Sequence, residues 1–305
     1  MHNPQYPMVK PENGNPRSVK MEGSEPLPRF AATTESEQLD AEAPVLGSIQ
    51  SLQTRLARST GEIRAAQALR FEVFYREMSA IADAKTLANK RDEDTYDRYC
   101  DHLLVIDRDL PASSQIVGTY RFLQQDIARK LGGFYSEQEF ALAPLLENKS
   151  HLKFIELGRS CVSLPYRNKR TVELLWQGTW AHVLENSIDV MVGCASLEGT
   201  NPDELALPLS FMHHHARADE DWKVKAVAGK GVAMNRMPKN SIDMRKALHS
   251  LPPMIKGYLR LGAWIGEEAV IDWQFGTTDV LIILPVANIN PRYINHFGAD
   301  ASRYS

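Results

Sequence analysis

From Ile63 to Tyr75 the apolar residues recur at spacings of three and four. Ile63, Ala66, Leu69, Val73 and Phe74 share one face of a predicted α-helix, with Thr60 placed to cap it. Residues 80–98 are polar and predict a loop. The period then shortens: 102–107 and 115–123 are apolar runs joined by Pro111-Ala112-Ser113-Ser114, which predicts a β-hairpin. Residues 134–143 read as helix and 152–162 as strand. The turn 164–168 leads into 171–184, the clearest long helix, and 189–195 is a further strand. Strand, turn, helix and strand in that order predict a right-handed βαβ unit with parallel strands. Residues 205–215 and 254–264 predict helices, and 279–284 a last strand. The stretch 216–250 is polar and poorly periodic, as an insertion or long loop would be.

Upstream, Ile49, Leu52 and Leu56 have helical or mixed spacing. Residues 1 to about 45 are rich in Pro, Glu, Ser, Asn and Gly without apolar periodicity, which predicts a disordered tail. The expected organisation is an α/β domain over 49–295, one mixed sheet flanked by helices, between an N-terminal tail (1–48) and a C-terminal tail (296–305).

Bulk numbers narrow the function. The chain has 305 residues, 43% hydrophobic and 24% charged, with a net charge of -3 that argues against nucleic acid as a partner. Cys100, Cys161 and Cys194 form no C-x-x-C pair, against a zinc site or a disulfide scaffold and in keeping with a reducing cytosol. The first thirty residues hold no apolar signal core, and no apolar run approaches the roughly 18–20 residues that cross a bilayer. A cytoplasmic protein is expected, with peripheral contact at the inner membrane left open.

Charge is concentrated in four islands at the edges of apolar segments: Arg70-Phe71-Glu72, Asp92-Glu93-Asp94-Thr95-Tyr96-Asp97, Gly118-Thr119-Tyr120-Arg121 and Glu156-Leu157-Gly158-Arg159. Four carboxylates within six residues repel one another, so the second island must be a solvated loop tip or be matched by cations. Tyr96 and Tyr99 favour a loop packed on the sheet. Arg121 lies in an apolar strand and Arg70 in an apolar helix. Both are best read as ion-pair partners of that loop. Arg167, Lys169 and Arg170 stand before the helix at 171–184, as a solvated basic helix start or as a seat for a phosphate.

Three other features are better explained by packing. His213-His214-His215 ends an apolar helix with no carboxylate or cysteine at metal-ligand spacing, so no metal site is expected. Cys161 has no histidine in local sequence to activate it, so a buried structural thiol is expected. The apolar helix over 254–264 fits a core position with two snorkelling cations better than a membrane contact.

In this order the islands resemble the acyl-homoserine-lactone synthases and their relatives among the GNAT-fold acyltransferases. The runs after residue 190 are more specific. Leu251-Pro252-Pro253-Met254-Ile255-Lys256-Gly257-Tyr258-Leu259-Arg260 and Phe275-Gly276-Thr277-Thr278-Asp279 resemble the bacterial L-ornithine Nα-acyltransferases of ornithine-lipid synthesis, a hemolysin-like GNAT family. The resemblance covers about residues 50 to 295.

It implies a GNAT-like fold and transfer of a 3-hydroxyacyl group from acyl carrier protein to the α-amino group of L-ornithine, giving lyso-ornithine lipid. Asp94 and Asp97 would close over the acceptor site together with Arg70 and Arg121. Glu156 and Arg159 would be catalytic, brought together by a bulge at Gly158, with Glu156 as proton acceptor. Arg159 would take the acceptor's carboxylate and Asp272 its distal ammonium. The glycine-rich loop with which GNAT enzymes hold coenzyme A is absent before 171. Arg167, Lys169 and Arg170 would instead receive the phosphopantetheine of the carrier protein, a co-substrate rather than a bound cofactor. The alternatives are an acyl-homoserine-lactone synthase and a non-catalytic module that binds acyl carrier or membrane.

Overall fold

The computed structural model describes residues 44–289. Its strands are β1 (Gly47–Ile49), β2 (Leu52–Leu56), β3 (Asp101–Asp107), β4 (Ile116–Gln124), β5 (Phe154–Val162), β6 (Val190–Glu198), β7 (Gly231–Ala233), β8 (Trp264–Asp272) and β9 (Thr277–Pro285). They form one mixed sheet in the order β1-β2-β3-β4-β5-β6-β9-β8-β7. Every neighbouring pair is antiparallel except β5 and β6, the two strands of the expected βαβ unit. The α-helices are α1 (Thr60–Phe71), α2 (Ala84–Asn89), α3 (Gln125–Leu131), α4 (Ala143–Asn148), α5 (Lys169–Glu185), α6 (Ala206–His215), α7 (Met244–Ser250) and α8 (Pro253–Leu261).

Several local expectations are corrected. Ile49 and Leu52 belong to a hairpin, paired across a two-residue turn in which Gln50 takes φ +59°; their helix-like spacing comes from that turn. Ser59, not Thr60, caps α1 by accepting from the Glu62 N–H. Helix α1 runs on into a π-helical turn, Glu72–Glu77. Residues 134–143 do not form one helix: a 3-10 turn (Tyr135–Gln138) precedes α4, whose first turn holds Pro144. Helix α8 stops at Gly262, which takes φ +97°, so Trp264 opens β8, a strand absent from the expected order. The expected loop at 80–98 contains α2, and 216–250 contains β7 and α7. The first strand begins at Gly47, two residues inside the expected tail; positions 1–43 and 290–305 lie outside the described residues.

Strand alternation sorts the core onto two faces. On β5, Ile155 and Leu157 join a cluster with Leu174, Trp180 and Val183 of α5, Leu209 of α6 and Ile255 and Tyr258 of α8. Phe154 faces the other way, with Ala128 of α3, Leu145 of α4, Val192, Phe134 and Phe140. Helix α1 lies on that second side, with Ala66 against Leu104 and Ile106. The polar residues gathered below lie on this side too.

Two irregularities interrupt the pairing of β5 there. Arg121 is opposite Gly158 while Thr119 is opposite Cys161, so Tyr120 alone faces Arg159 and Ser160. This is a β-bulge, and Arg159 adopts φ +54°, a left-handed conformation uncommon for a residue with a side chain. The β5–β6 ladder is also short, pairing Phe154–Glu156 only with Val190–Val192. Beyond it the ladder pairing stops, and the β5 backbone lies close over Gly193, where a Cβ would come within 2.2 Å of the Leu157 carbonyl oxygen.

Candidate functional site

The four sequence islands meet as a lattice of three arginines and three aspartates. Arg70, from α1, donates through Nε to Asp92 at 2.8 Å and through both Nη atoms to Asp97, each at 2.8 Å. Arg121, from β4, reaches Asp94 at 2.6 Å and Asp97 at 2.9 Å. Arg159, from the bulge, reaches Asp92 at 3.1 Å and Asp94 at 3.4 Å. Each arginine thus bridges two aspartates and each aspartate two arginines, which neutralises six charges packed against the sheet.

The titration of the lattice follows from that pairing. Burial pushes the Asp92 carboxyl up, but Arg159 and Arg70 outweigh it and hold it below the ordinary range. Asp97 is likewise raised by burial and lowered further by Arg70 and Arg121. Tyr75 donates to Asp92 at 3.1 Å and Gln67 to Asp97 at 2.9 Å, completing the shell. Glu93, the remaining carboxylate of the island, points outward to Lys85 at 3.6 Å. Arg70, Asp94, Asp97 and Arg121 are therefore brought together as expected, and Asp92 joins them.

The bulge does turn Arg159 onto the face that carries Glu156. They meet through Tyr135, whose hydroxyl accepts from Arg159 at 3.3 Å and whose ring lies 4.6 Å from the guanidinium. Phe275 flanks the same guanidinium at 5.3 Å. Glu156 itself accepts from the Tyr135 N–H at 2.8 Å, the Ser136 N–H at 2.7 Å and the Ser136 hydroxyl at 2.5 Å. Only 5% exposed, it has a pKa raised by burial against those donors. A carboxylate with about three of its four acceptor positions filled acts as the anchor of the 135–136 turn. That bonding is at odds with the proton-acceptor role expected of Glu156.

A second acidic group lies on the same face. Glu139, Asp272 and Asp279 each present a carboxylate oxygen within 4.8 Å of the others, close enough to hold one cation, metallic or ammonium. Asp279 is the third residue of the largely apolar strand β9, where Thr277 donates to it at 2.8 Å. Asp272 ends β8 and also accepts from the Gln274 and Phe275 N–H groups, at 2.8 and 3.0 Å. Half-buried Glu139 accepts from the Cys194 thiol at 3.4 Å. Burial, and then Asp279, push its pKa up to about 7. Of these three, the sequence points to Asp272 alone as a site residue, and the structure adds Glu139 and Asp279. The available signal for Asp279 was a carboxylate at the head of an otherwise apolar strand.

Residues 69–177 match the family model described as an acetyltransferase (GNAT) domain. Over 263 residues, 86% of this chain and 89% of the relative, the sequence is 54% identical to the L-ornithine Nα-acyltransferase of Rhizobium meliloti (strain 1021). It is 52% identical to the enzyme of the same name from Brucella abortus (strain 2308), covering 87% of this chain and 95% of that one. The chain belongs to the L-ornithine Nα-acyltransferase family. Among solved structures, FeeM, an N-acyl amino acid synthase from uncultured soil microbes, aligns over 77% of this chain and 92% of its own at 10% identity and a TM-score of 0.45.

In this member of the L-ornithine Nα-acyltransferase family the basic residues at the start of α5, Arg167, Lys169 and Arg170, are all exposed. Arg167 pairs with Glu77, and Arg170 donates to Gln50 at 2.7 Å. Lys169 projects from the first residue of α5. The Asn168 side chain accepts from the Arg170 and Thr171 N–H groups, so these two backbone donors of the helix start are already engaged. A phosphate arriving there would meet side-chain cations first.

The features set aside from the sequence are packed as expected. Cys161 is buried in the bulged part of β5, and burial pushes its thiol up to about 12. His214 contacts the Met237 carbonyl at 3.0 Å and His215 stacks on Phe211. Ile255, Tyr258 and Leu261 bury one face of α8 in the core. No helix among the described residues is long and apolar enough to cross a membrane.

Proposed function

We propose that this protein transfers a 3-hydroxyacyl group from acyl carrier protein to the α-amino group of L-ornithine, giving lyso-ornithine lipid in the cytoplasm. The observation that carries the reading is the placing of a guanidinium and a carboxylate cluster on one face of the sheet. Arg159 stands between Tyr135 and Phe275, and Glu139, Asp272 and Asp279 cluster on the same face of the sheet. Ornithine carries a carboxylate at one end and an ammonium at the other. Arg159, whose Nη1 has no partner among the described residues, would take the carboxylate, and Asp272 and Asp279 the distal ammonium. The names of the relatives support ornithine as acceptor.

The α-ammonium must lose a proton before it can attack a thioester. Glu139, with a pKa near 7, is the better acceptor for that proton. Glu156 then acts as a positioning residue, holding Tyr135 against Arg159. The freed amine adds to the thioester carbon, the C–S bond breaks, and the second N–H proton leaves with the phosphopantetheine thiol. Lys169, Arg170 and Arg167 would meet the phosphodiester and the acidic surface of the carrier.

Purified protein incubated with 3-hydroxyacyl carrier protein and labelled ornithine, lysine, homoserine or S-adenosylmethionine tests this reading. Acylated ornithine, identified by mass spectrometry, is the expected product. Acylation of another amine in its place would reassign the acceptor, and no turnover with any amine would leave a binding module.

A further inference from the structure

The core takes only one side of helices α7 and α8. Ala247 of α7, Ile255 and Tyr258 of α8, and Leu251 between the helices are buried in one cluster. The outer side carries bare apolar residues: Met244 is 43% exposed, Leu248 45% and Met254 40%. Met244 and Leu248 stand one turn apart on α7 and so share a face. Lys256 donates to the His249 carbonyl at 3.0 Å, which ties the first turn of α8 to the end of α7. The three apolar residues therefore belong to one short two-helix surface.

The charges around them are of nearly one sign. Residues 234–262 hold six lysines and arginines against one acid, Asp243, so the segment is net +5 in a chain of net -3. Asp243 is occupied in capping α7, accepting from the Arg245 and Lys246 N–H groups, and lies 3.8 Å from the Lys246 ammonium. Arg236 pairs with Asp203. Lys239, Arg245 and Arg260 are exposed and have no ion pair among the described residues. An ordinary soluble surface intersperses charges of both signs. Bare methionine and leucine among unpaired cations make instead a face suited to a headgroup layer, where apolar side chains enter and cations stay with the phosphates.

We infer that the outer face of α7 and α8 docks this protein on an anionic phospholipid surface, with Met244, Leu248 and Met254 entering the headgroup layer. The rest of the chain is net negative, so an anionic leaflet attracts this face and repels the others, which fixes the orientation. The face with Arg159 and the carboxylate trio lies across the sheet from the cluster on which α8 packs. In the docked state it remains open to water, from which a charged amine arrives. The cations are spread over a loop and two helices, which suits mobile headgroups better than one fixed protein partner. The inference stands on this surface alone, whatever amine is acylated.

The test is co-flotation of the full chain with vesicles of equal parts phosphatidylglycerol and phosphatidylcholine, and with vesicles of phosphatidylcholine alone. The wild type should float with the anionic vesicles and not with the zwitterionic ones, and should detach as salt is raised. R245Q/K246Q should weaken binding by about 25-fold, roughly fivefold for each basic side chain withdrawn from the leaflet. M244S/L248S should weaken it at low and high salt alike. All four side chains are exposed, so melting temperatures and ornithine acylation with soluble substrates should match the wild type. A wild type that floats with neither vesicle overturns the inference, as does an R245Q/K246Q protein that binds as the wild type does. A raised KM for acyl carrier protein in R245Q/K246Q, with vesicle binding unchanged, would overturn it in favour of a carrier-docking face. If the wild type acylates no ornithine, the proposed function falls while flotation still decides this inference.

Discussion

Arg70 binds Asp97 through two parallel hydrogen bonds of 2.8 Å, with the arginine side chain wholly inaccessible to solvent. The fork-to-fork geometry is one that lysine cannot reproduce. D97N is expected to lower stability in urea unfolding by about 3–5 kcal/mol, because it leaves buried arginine charge uncompensated, and R70K by less, because it keeps the charge and loses only the paired geometry. A loss below about 1 kcal/mol, the size of an exposed pair, would mean that the lattice does not hold the loop.

Acid stability follows from the same pairs. Asp92 and Asp97 have folded-state pKa values held below their unfolded values, near 3.9 for an aspartate. Their contribution is therefore fully present above about pH 4 and is lost as pH falls through the folded values. Thermal unfolding across pH 2–7 should show wild-type stability falling steeply only at the acid end. D97N should flatten that limb.

Glu139 titrates in the opposite sense. Its folded pKa, about 7, lies above its unfolded value, so stability falls as pH rises from the unfolded pKa to the folded one. E139Q should therefore gain stability relative to wild type between pH 5 and 8 while losing most of its activity. The ascending limb of kcat/KM near pH 7 should vanish in E139Q and survive in E156Q. If E156Q removes that limb instead, the proton acceptor is Glu156.

Arg159 is expected to act on the acceptor rather than on the donor. R159K keeps the charge but not the planar fork between Tyr135 and Phe275. Steady-state kinetics should show KM for ornithine raised by about tenfold or more, with KM for the acyl carrier protein unchanged. Equal change in both constants would point to collapse of the bulge.

The basic start of α5 is exposed, so its removal should leave the fold intact. Charge reversal in K169E/R170E should raise KM for the acyl carrier protein and flatten its dependence on salt. The melting temperature should not move. An unchanged KM would place carrier docking elsewhere on the surface.

Long elements were legible because each keeps one period over many residues. Helix α5 shows the three/four apolar pattern of a helix packed on a sheet, and β9 the continuous apolar run of a doubly covered strand. Short elements were not. The β1–β2 hairpin turns within two residues, so its period never repeats often enough to be read. Residues 134–143 carry helical apolar spacing, but Glu156 captures the N–H groups of Tyr135 and Ser136 from another strand and only a 3-10 turn forms. In the site, the arginine–aspartate lattice could be anticipated, since a run of carboxylates near buried-looking arginines demands pairing. The trio of Glu139, Asp272 and Asp279 could not, because its members lie up to 140 positions apart in sequence and meet only across β6, β8 and β9.

The sequence by itself determined the family, the α/β order and the identity of the ion-pair partners, all of which depend on residue type and local spacing. Tertiary structure decided which groups face one another. A bulge of one residue turned Arg159 toward Tyr135, and the β5–β6 ladder ends after three residue pairs. Pairing of β6 with β9 and of β9 with β8 brought Asp272 and Asp279 to Glu139. Strand period fixes which face a side chain takes only while the register is regular. Where register breaks, orientation is set by contacts distant in sequence, and in this protein the chemistry is gathered around such breaks.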